Sequence, residues 1–284
     1  MIDHKLSFTA IHVAATRAAH LRFDAAPHLL NDHPALALIG AEYESLVDQL
    51  SDEAHWVLRE NRLFIPLRAR WAEDRLRNAF ASGVRQYVIL GAGMDSFAFR
   101  QPDGFEALSI IEIDHPATQT WKQDRIEQLG WPAPSNLQLI ACDFEKTSML
   151  EALDLARFDR DKPAFFSWMG VTYYLERPLA QSALSELSRV LAPGSEVVFD
   201  FLRPYGDLAE RYQELEALSG QYLKNKGEPH VNKLRDHDVR SDVASAGFPR
   251  IEIETEETLR ERYDDLMPTS IGLSERFGLA AACT

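Results

Sequence analysis

The chain has 284 residues, 45% of them apolar, and a formal net charge of −14 at pH 7. Length and apolar share suit one large α/β domain spanning 1–284, and the acidic balance argues against nucleic acid, whose phosphates call for clustered Lys and Arg. The 2 cysteines, the absence of a secretory leader and the lack of any membrane-length apolar run predict a cytoplasmic protein with no disulfide and no membrane partner, and the 9 scattered histidines offer no paired metal-ligand spacing.

Residues 1–84 read as helices. Ser7 is placed to cap a helix running through Ile11 to Arg17, and Pro34 opens a second through Leu50. A third carries Ala72, Leu76, Ala79 and Phe80 on one face, with Gly83 just past its end. A cofactor-binding core over 85–202 follows. Residues 87–90 form a short β-rich run that ends in Gly91-Ala92-Gly93, where two glycines let the backbone turn sharply and leave no side chain between chain and ligand. Asp95 or Ser96 is placed to cap a helix whose free N–H groups point back over the strand. The dinucleotide pattern wants a third glycine where Ser96 stands, and a pyrophosphate would meet the Asp95 carboxylate. A cofactor with a cationic centre and an amino-acid tail tolerates that acid, and S-adenosylmethionine fits the description.

A second apolar stretch, 108–113, is broken only by Glu112 and leads to Asp114, where a ribose diol would be held. Pro116 opens a helix to Leu129 with Gly130 beyond its end. The third strand, 137–140, gives way to Asp143, an acceptor for an adenine amino group, and Phe144, an apolar surface for the ring. Taken singly, each acid reads better as a helix cap or a solvated strand end; three acidic strand ends in order point to a site. The alternation continues through a strand at 163–168, a helix over 178–191, the Pro193-Gly194 turn and a fifth strand at 196–202. This pattern predicts a mostly parallel sheet with helices on both faces. Residues 203–246, with Leu208, Tyr212, Leu215 and Leu218 at helical spacing, read as a helical cap over the carboxyl ends of the strands or as a peripheral helix pair. Residues 247–284 supply the last strands, at 251–253 and 277–281.

The run Leu90-Gly-Ala-Gly-Met-Asp-Ser-Phe-Ala-Phe-Arg100, together with Glu112-Ile-Asp-His-Pro116 and Val171-Thr-Tyr-Tyr-Leu175, resembles the leucine carboxyl methyltransferase family over roughly residues 10–200. That family includes the enzyme that methylates a protein phosphatase tail and bacterial members that esterify polyketide carboxylates, such as the tetracenomycin carboxyl methyltransferase. The resemblance implies a Rossmann-like, seven-stranded class I methyltransferase fold whose last two strands form an antiparallel hairpin at one edge. It also implies S-adenosyl-L-methionine as cofactor. Arg68 matches an arginine near both cofactor and substrate carboxylates, Arg17 a basic residue near the methionyl carboxylate, and Tyr174 a tyrosine that hydrogen-bonds the acceptor. Met169 stands where many members carry a glutamate near the cofactor's amino-acid end, a departure that alters cofactor affinity or substrate preference.

Methyl transfer is an in-line displacement that needs mainly alignment of donor and acceptor. A carboxylate acceptor, on a small molecule or a peptide tail, is already ionised and requires no general base. It requires a cation or hydroxyl to hold one oxygen while the other attacks, for which Arg68 and Arg70 are the candidates alongside Tyr174, with Tyr173, Trp168 and Phe166 nearby. A hydroxyl acceptor would demand a base, and His115, His230 and His237 have no spacing that supports one. A protein that binds the cofactor without turnover and a nicotinamide dehydrogenase are the remaining alternatives.

Overall fold

In the computed structural model, which describes residues 7–144, 146–267 and 272–284, with the side chains of Ala217 and Leu218 outside the description, four α-helices precede the first strand. The first, α1 (Phe8–Phe23), starts where Ser7 Oγ accepts from Ala10 N at 3.1 Å. The helix predicted from Pro34 to Leu50 is instead two, α2 (Pro34–Ile39) and α3 (Glu44–Gln49), because Gly40 at φ +98° breaks the helical path between them. The long helix α4 (Trp56–Ala81) contains Pro66 and buries Leu63, Leu67, Trp71 and Leu76 against the sheet.

Strand β1 (Gln86–Leu90) is buried along its whole length. The glycine turn that follows leads to a single 3₁₀ turn, Phe97–Phe99, in place of the predicted α-helix. Asp95 still caps, its Oδ1 accepting from Phe97 N at 2.8 Å, but Ser96 turns inward and is buried. Then come β2 (Ser109–Asp114), α5 (Pro116–Gln128), β3 (Leu137–Ala141), α6 (Met149–Leu155), β4 (Phe165–Trp168), α7 (Arg177–Val190) and β5 (Glu196–Leu202). The remainder is α8 (Glu210–Asn225), α9 (Asp236–Ala246), β6 (Arg250–Ile253), α10 (Glu256–Tyr263) and β7 (Phe277–Cys283).

The seven strands form one Rossmann-like sheet in the order β3-β2-β1-β4-β5-β7-β6. The first five are parallel, and β7 runs antiparallel to both β5 and β6, so β6 and β7 make an antiparallel pair at one edge. The period-two alternation of β1 sends Val88 and Leu90 into a core shared with α6, α7 and α9, and Tyr87 and Ile89 into a second core under α4 and α10. The stretch predicted as a cap divides. Helix α9 packs on α7 and β6 as part of one face layer, whereas α8 and the Gly227–Pro229 loop after it lie beside the carboxyl ends of the strands. Chain order reverses between β1 and β4, which leaves a crevice above their carboxyl ends. No described helix is long and apolar enough to cross a membrane.

Candidate active site

That crevice is a cavity of about 300 Å³ lined by Arg17, Arg68, the Gly91–Gly93 turn, Asp114, Asp143, Phe144, Met169 and Tyr174. Its floor is the glycine turn. Gly91 N and Ala92 N both donate to Ile113 O, at 2.8 and 3.2 Å, so the turn is stitched to β2. Gly91 sits at φ +65°, and a Cβ there would lie 2.4 Å from Val171 Cγ2; Gly93 sits at φ +53° with Ala10 Cβ 3.1 Å from its own would-be Cβ. Both positions require the absence of a side chain.

Asp114 ends β2 against this turn. Its Oδ2 accepts from Gly93 N at 2.5 Å and its Oδ1 from His115 N at 2.6 Å, which leaves each oxygen a lone pair for a further donor. Burial raises the Asp114 carboxyl above its usual range, and the two N–H bonds oppose that rise. Beyond β3, Asp143 lies 2.7 Å from Lys146 Nζ, and the Phe144 ring is 39% exposed beside it. Cys142 also faces the cavity, but burial, with Asp143 and Glu151, pushes its thiol up to about 11, so it stays protonated at neutral pH. Two carboxylates and an apolar ring surface therefore converge on the cavity at the carboxyl ends of β2 and β3.

On the other side of the glycine turn, two arginines enter from the N-terminal helices. Arg17, on α1, donates through Nε to Asp32 Oδ2 at 2.6 Å and through Nη2 to Met94 O at 2.7 Å. Asp32 also accepts from Ser96 Oγ at 2.6 Å. Burial works against its charge, but Arg17, Arg100 and Ser96 outweigh it and hold the Asp32 carboxyl below the usual range. Arg100 continues this chain of charges by gripping Glu73 through both guanidinium nitrogens at 2.6 and 2.9 Å. Arg68, from the middle of α4, is buried and donates through Nη1 to Asp200 Oδ2 at 2.5 Å and Tyr173 Oη at 3.1 Å. Its Nη2 lies against Gly170, where a Cβ would be only 2.9 Å away.

Met169 lines the cavity while packing on the core under α4. Tyr174 ends a 3₁₀ turn, Thr172–Tyr174, and its hydroxyl is 3.4 Å from His230 Nε2. Burial pushes the Tyr174 hydroxyl well above its ordinary range, which keeps it a donor at neutral pH. His230 is in turn pushed down to about 4 by burial, with Arg276 and Lys233 adding to the effect. His115 is committed to capping, its Nδ1 accepting from Ala117 N at 3.3 Å.

Three neighbours named with these residues fall elsewhere. Arg70 turns away to Asp74, at 2.8 Å, and Trp168 and Phe166 belong to the core on the opposite face. Conversely, Asp200, Glu73 and Glu228 escaped the sequence reading. Asp200 had a signal, since it is the single acid within the apolar run of β5 after Glu196. Glu73 stands in charged helical sequence and Glu228 between Gly227 and Pro229, and neither had one.

The pattern of the leucine carboxyl methyltransferase family matches residues 10–188. YktD of Bacillus subtilis, which bears the name of an S-adenosyl-L-methionine-dependent methyltransferase, is 31% identical over 253 residues, covering 79% of this chain and 83% of its own. A Mycobacteroides abscessus protein named in the same way is 27% identical over 246 residues, covering 84% of this chain and 78% of its own. Among solved structures, one from Thermobifida fusca superposes with a TM-score of 0.60 over 100% of this chain and 96% of that one at 16% identity. A DUF574 protein of Streptomyces avermitilis gives a TM-score of 0.60 over 100% of both chains at 14% identity. These two attest to the fold, while the sequence matches go further. The chain is a member of the leucine carboxyl methyltransferase family, an S-adenosyl-L-methionine-dependent methyltransferase.

Proposed function

We propose that the chain is an O-methyltransferase that esterifies a carboxylate of a small acid. In this reading the amides of Gly91, Ala92 and Gly93 line the cofactor's approach to the sheet, and Asp114 accepts from the ribose diol. Asp143 and Phe144 take the adenine. Arg17 and Met169 border the amino-acid end, and Arg68 and Tyr174 hold the acceptor. When bound, S-adenosyl-L-methionine supplies a methyl carbon already activated by the sulfonium. The acceptor oxygen forms the new C–O bond as the S–CH₃ bond breaks, its electron pair goes to sulfur, and no proton moves.

The observation that carries this reading is the pairing of a buried guanidinium with a protonated phenol on the wall that also holds the nucleotide-like cradle. Both are donors suited to a carboxylate oxygen. The nearby imidazoles are poorly suited to take a proton, because His115 is committed to a helix cap and His230 is held neutral to about pH 4. Orientation of a donor and acceptor in such a cavity supplies about 7–11 kcal/mol without acid–base help.

The test is to incubate the protein with S-adenosyl-L-methionine bearing a tritiated methyl group and an acid-containing extract of the native organism, then to treat the products with base. Methyl esters release volatile labelled methanol. Label that survives base would instead point to a hydroxyl or nitrogen acceptor and would end the carboxylate reading.

A further inference from the structure

A carboxylate nucleophile presents the site with a conflict. It must be held by a cation, yet a bare buried guanidinium would stabilise the attacking lone pair and slow its reaction. Arg68 is not bare. Its Nη1 is bound at 2.5 Å by Asp200, a fully buried carboxylate on β5, and shared with the Tyr173 hydroxyl at 3.1 Å. Asp200 is itself fixed, because its Oδ1 accepts from Gly170 N at 2.6 Å and its main-chain oxygen accepts from Thr172 Oγ1 at 2.5 Å. Gly170, at φ +77° and without a side chain, leaves the space in which Arg68 Nη2 lies, and among the described residues Nη2 has no protein hydrogen bond. One edge of the guanidinium is thus committed to the Asp200 carboxylate, and the other edge stands beside the cavity.

We infer that Asp200 is a positioning residue that fixes Arg68 and attenuates its charge, so that the acceptor carboxylate is oriented by Nη2 without being quenched. The inference rests on the proposed carboxylate reading. It assigns Asp200 a part in rate as well as in folding, and this separates it from a merely structural ion pair. Removing the counter-charge while keeping the side-chain shape should strengthen anion binding and weaken reactivity, two effects of opposite sign.

The test uses hexanoate as a probe acid. Protein loaded with S-adenosylhomocysteine is titrated with hexanoate by calorimetry, and transfer of labelled methyl to hexanoate is followed in single turnovers with S-adenosyl-L-methionine. For Asp200→Asn we expect hexanoate to bind about tenfold more tightly and single-turnover transfer to slow about tenfold. Weaker binding together with slower transfer, or no change in either, would overturn the inference. Because the variant removes one partner of a buried pair and can fail to fold, the wild-type protein supplies a second measurement. With the arginine nitrogens labelled for NMR, hexanoate should move the Arg68 Nη2 signals and leave Nη1 in place; movement of Nη1 would mean that the ligand displaces Asp200, and the inference would fall. Base-stable labelling of extract acceptors alongside a hexanoate-responsive Nη2 would sink the carboxylate reading while leaving the attenuated Arg68 intact.

Discussion

Gly91 and Tyr174 both line the cavity, and each makes a claim that one substitution can check. At Gly91 the backbone lies in the left-handed region and Val171 Cγ2 occupies the place a Cβ would need. Gly91→Ala should therefore cost about 1–3 kcal/mol in stability and, by moving the turn, lower S-adenosylhomocysteine affinity at least roughly tenfold in calorimetry. Tyr174→Phe removes one hydroxyl donor from a buried wall. Loss of a hydrogen bond to a charged acceptor is worth about 1.5–3 kcal/mol, so turnover should fall roughly tenfold to hundredfold while S-adenosylhomocysteine affinity holds within about twofold. Equal losses in both would assign Tyr174 to the scaffold. His230, beside it, reports on acid sensitivity. Burial first, then Arg276 and Lys233, take it from its ordinary value of 6.5 down to about 4. The unfolded chain consequently binds a proton more readily over that window, and stability is lost as pH falls from 6.5 toward 4. His230→Gln should remove about 2 kcal/mol of the decline between pH 7 and pH 5, measured as the difference in urea midpoints at the two values.

Elements were readable wherever local chemistry alone decides them. Ser7 caps α1, Pro116 opens α5, and the apolar strands β1 and β5 lie where their residue types predict. Two expectations failed for a reason that periodicity does not carry. The helix after β1 is a 3₁₀ turn because Ser96 spends its hydroxyl on Asp32 and the segment is drawn down onto α1 and α4. The helix from Pro34 breaks at Gly40, where apolar residues on both sides disguise the interruption. Helix α5 shows what such tertiary ties do. Lys122 is fully buried there, ion-paired with Glu112 on β2 and donating to Asp95 O at 2.7 Å, so one ammonium joins helix, strand and glycine turn. Burial pushes Glu112 up to about 7 despite Lys122, so charging it opposes folding as pH rises from 4.5 toward 7. Lys122→Met should cost about 3–5 kcal/mol by leaving a buried carboxylate unpaired, and Lys122→Met with Glu112→Gln should recover most of that loss in urea denaturation. Recovery confined to stability, with cofactor affinity still low, would locate the contribution of Lys122 to binding in its bond to the Asp95 carbonyl.

At the scale of the whole molecule, the sheet order explains why a constellation dispersed over more than two hundred residues meets in one crevice, and why only part of it was legible. The glycine turn, Asp114 and Asp143 follow successive strands, so alternation was enough to bring them together. Arg17 and Tyr174 were named only through family resemblance, and Arg68 was singled out from Arg70 only that way, since their meeting depends on how α1 and α4 cross the sheet. The Asp200 and Glu228 contacts arise from long-range packing that no local pattern encodes. Glu228 carries a consequence for ligand exchange. Its Oε2 accepts from Thr9 N at 2.9 Å, which joins the first turn of α1 to the loop after α8, both of which line the cavity. Phe8 meets Tyr222 edge-on, with ring centroids 5.9 Å apart, and Lys226 Nζ lies 4.5 Å from the Phe8 ring centroid. A carboxylate on free amides at a helix start is worth about 1–2 kcal/mol, so the two segments hold each other closed by an amount comparable to a tenfold change in rate. Glu228→Ala should accelerate both association and dissociation of S-adenosylhomocysteine by roughly threefold to tenfold in stopped-flow displacement, with little change in their ratio. If neither rate moves, the ligand enters by another path; if only dissociation rises, Glu228 contacts the ligand and does not serve as a latch.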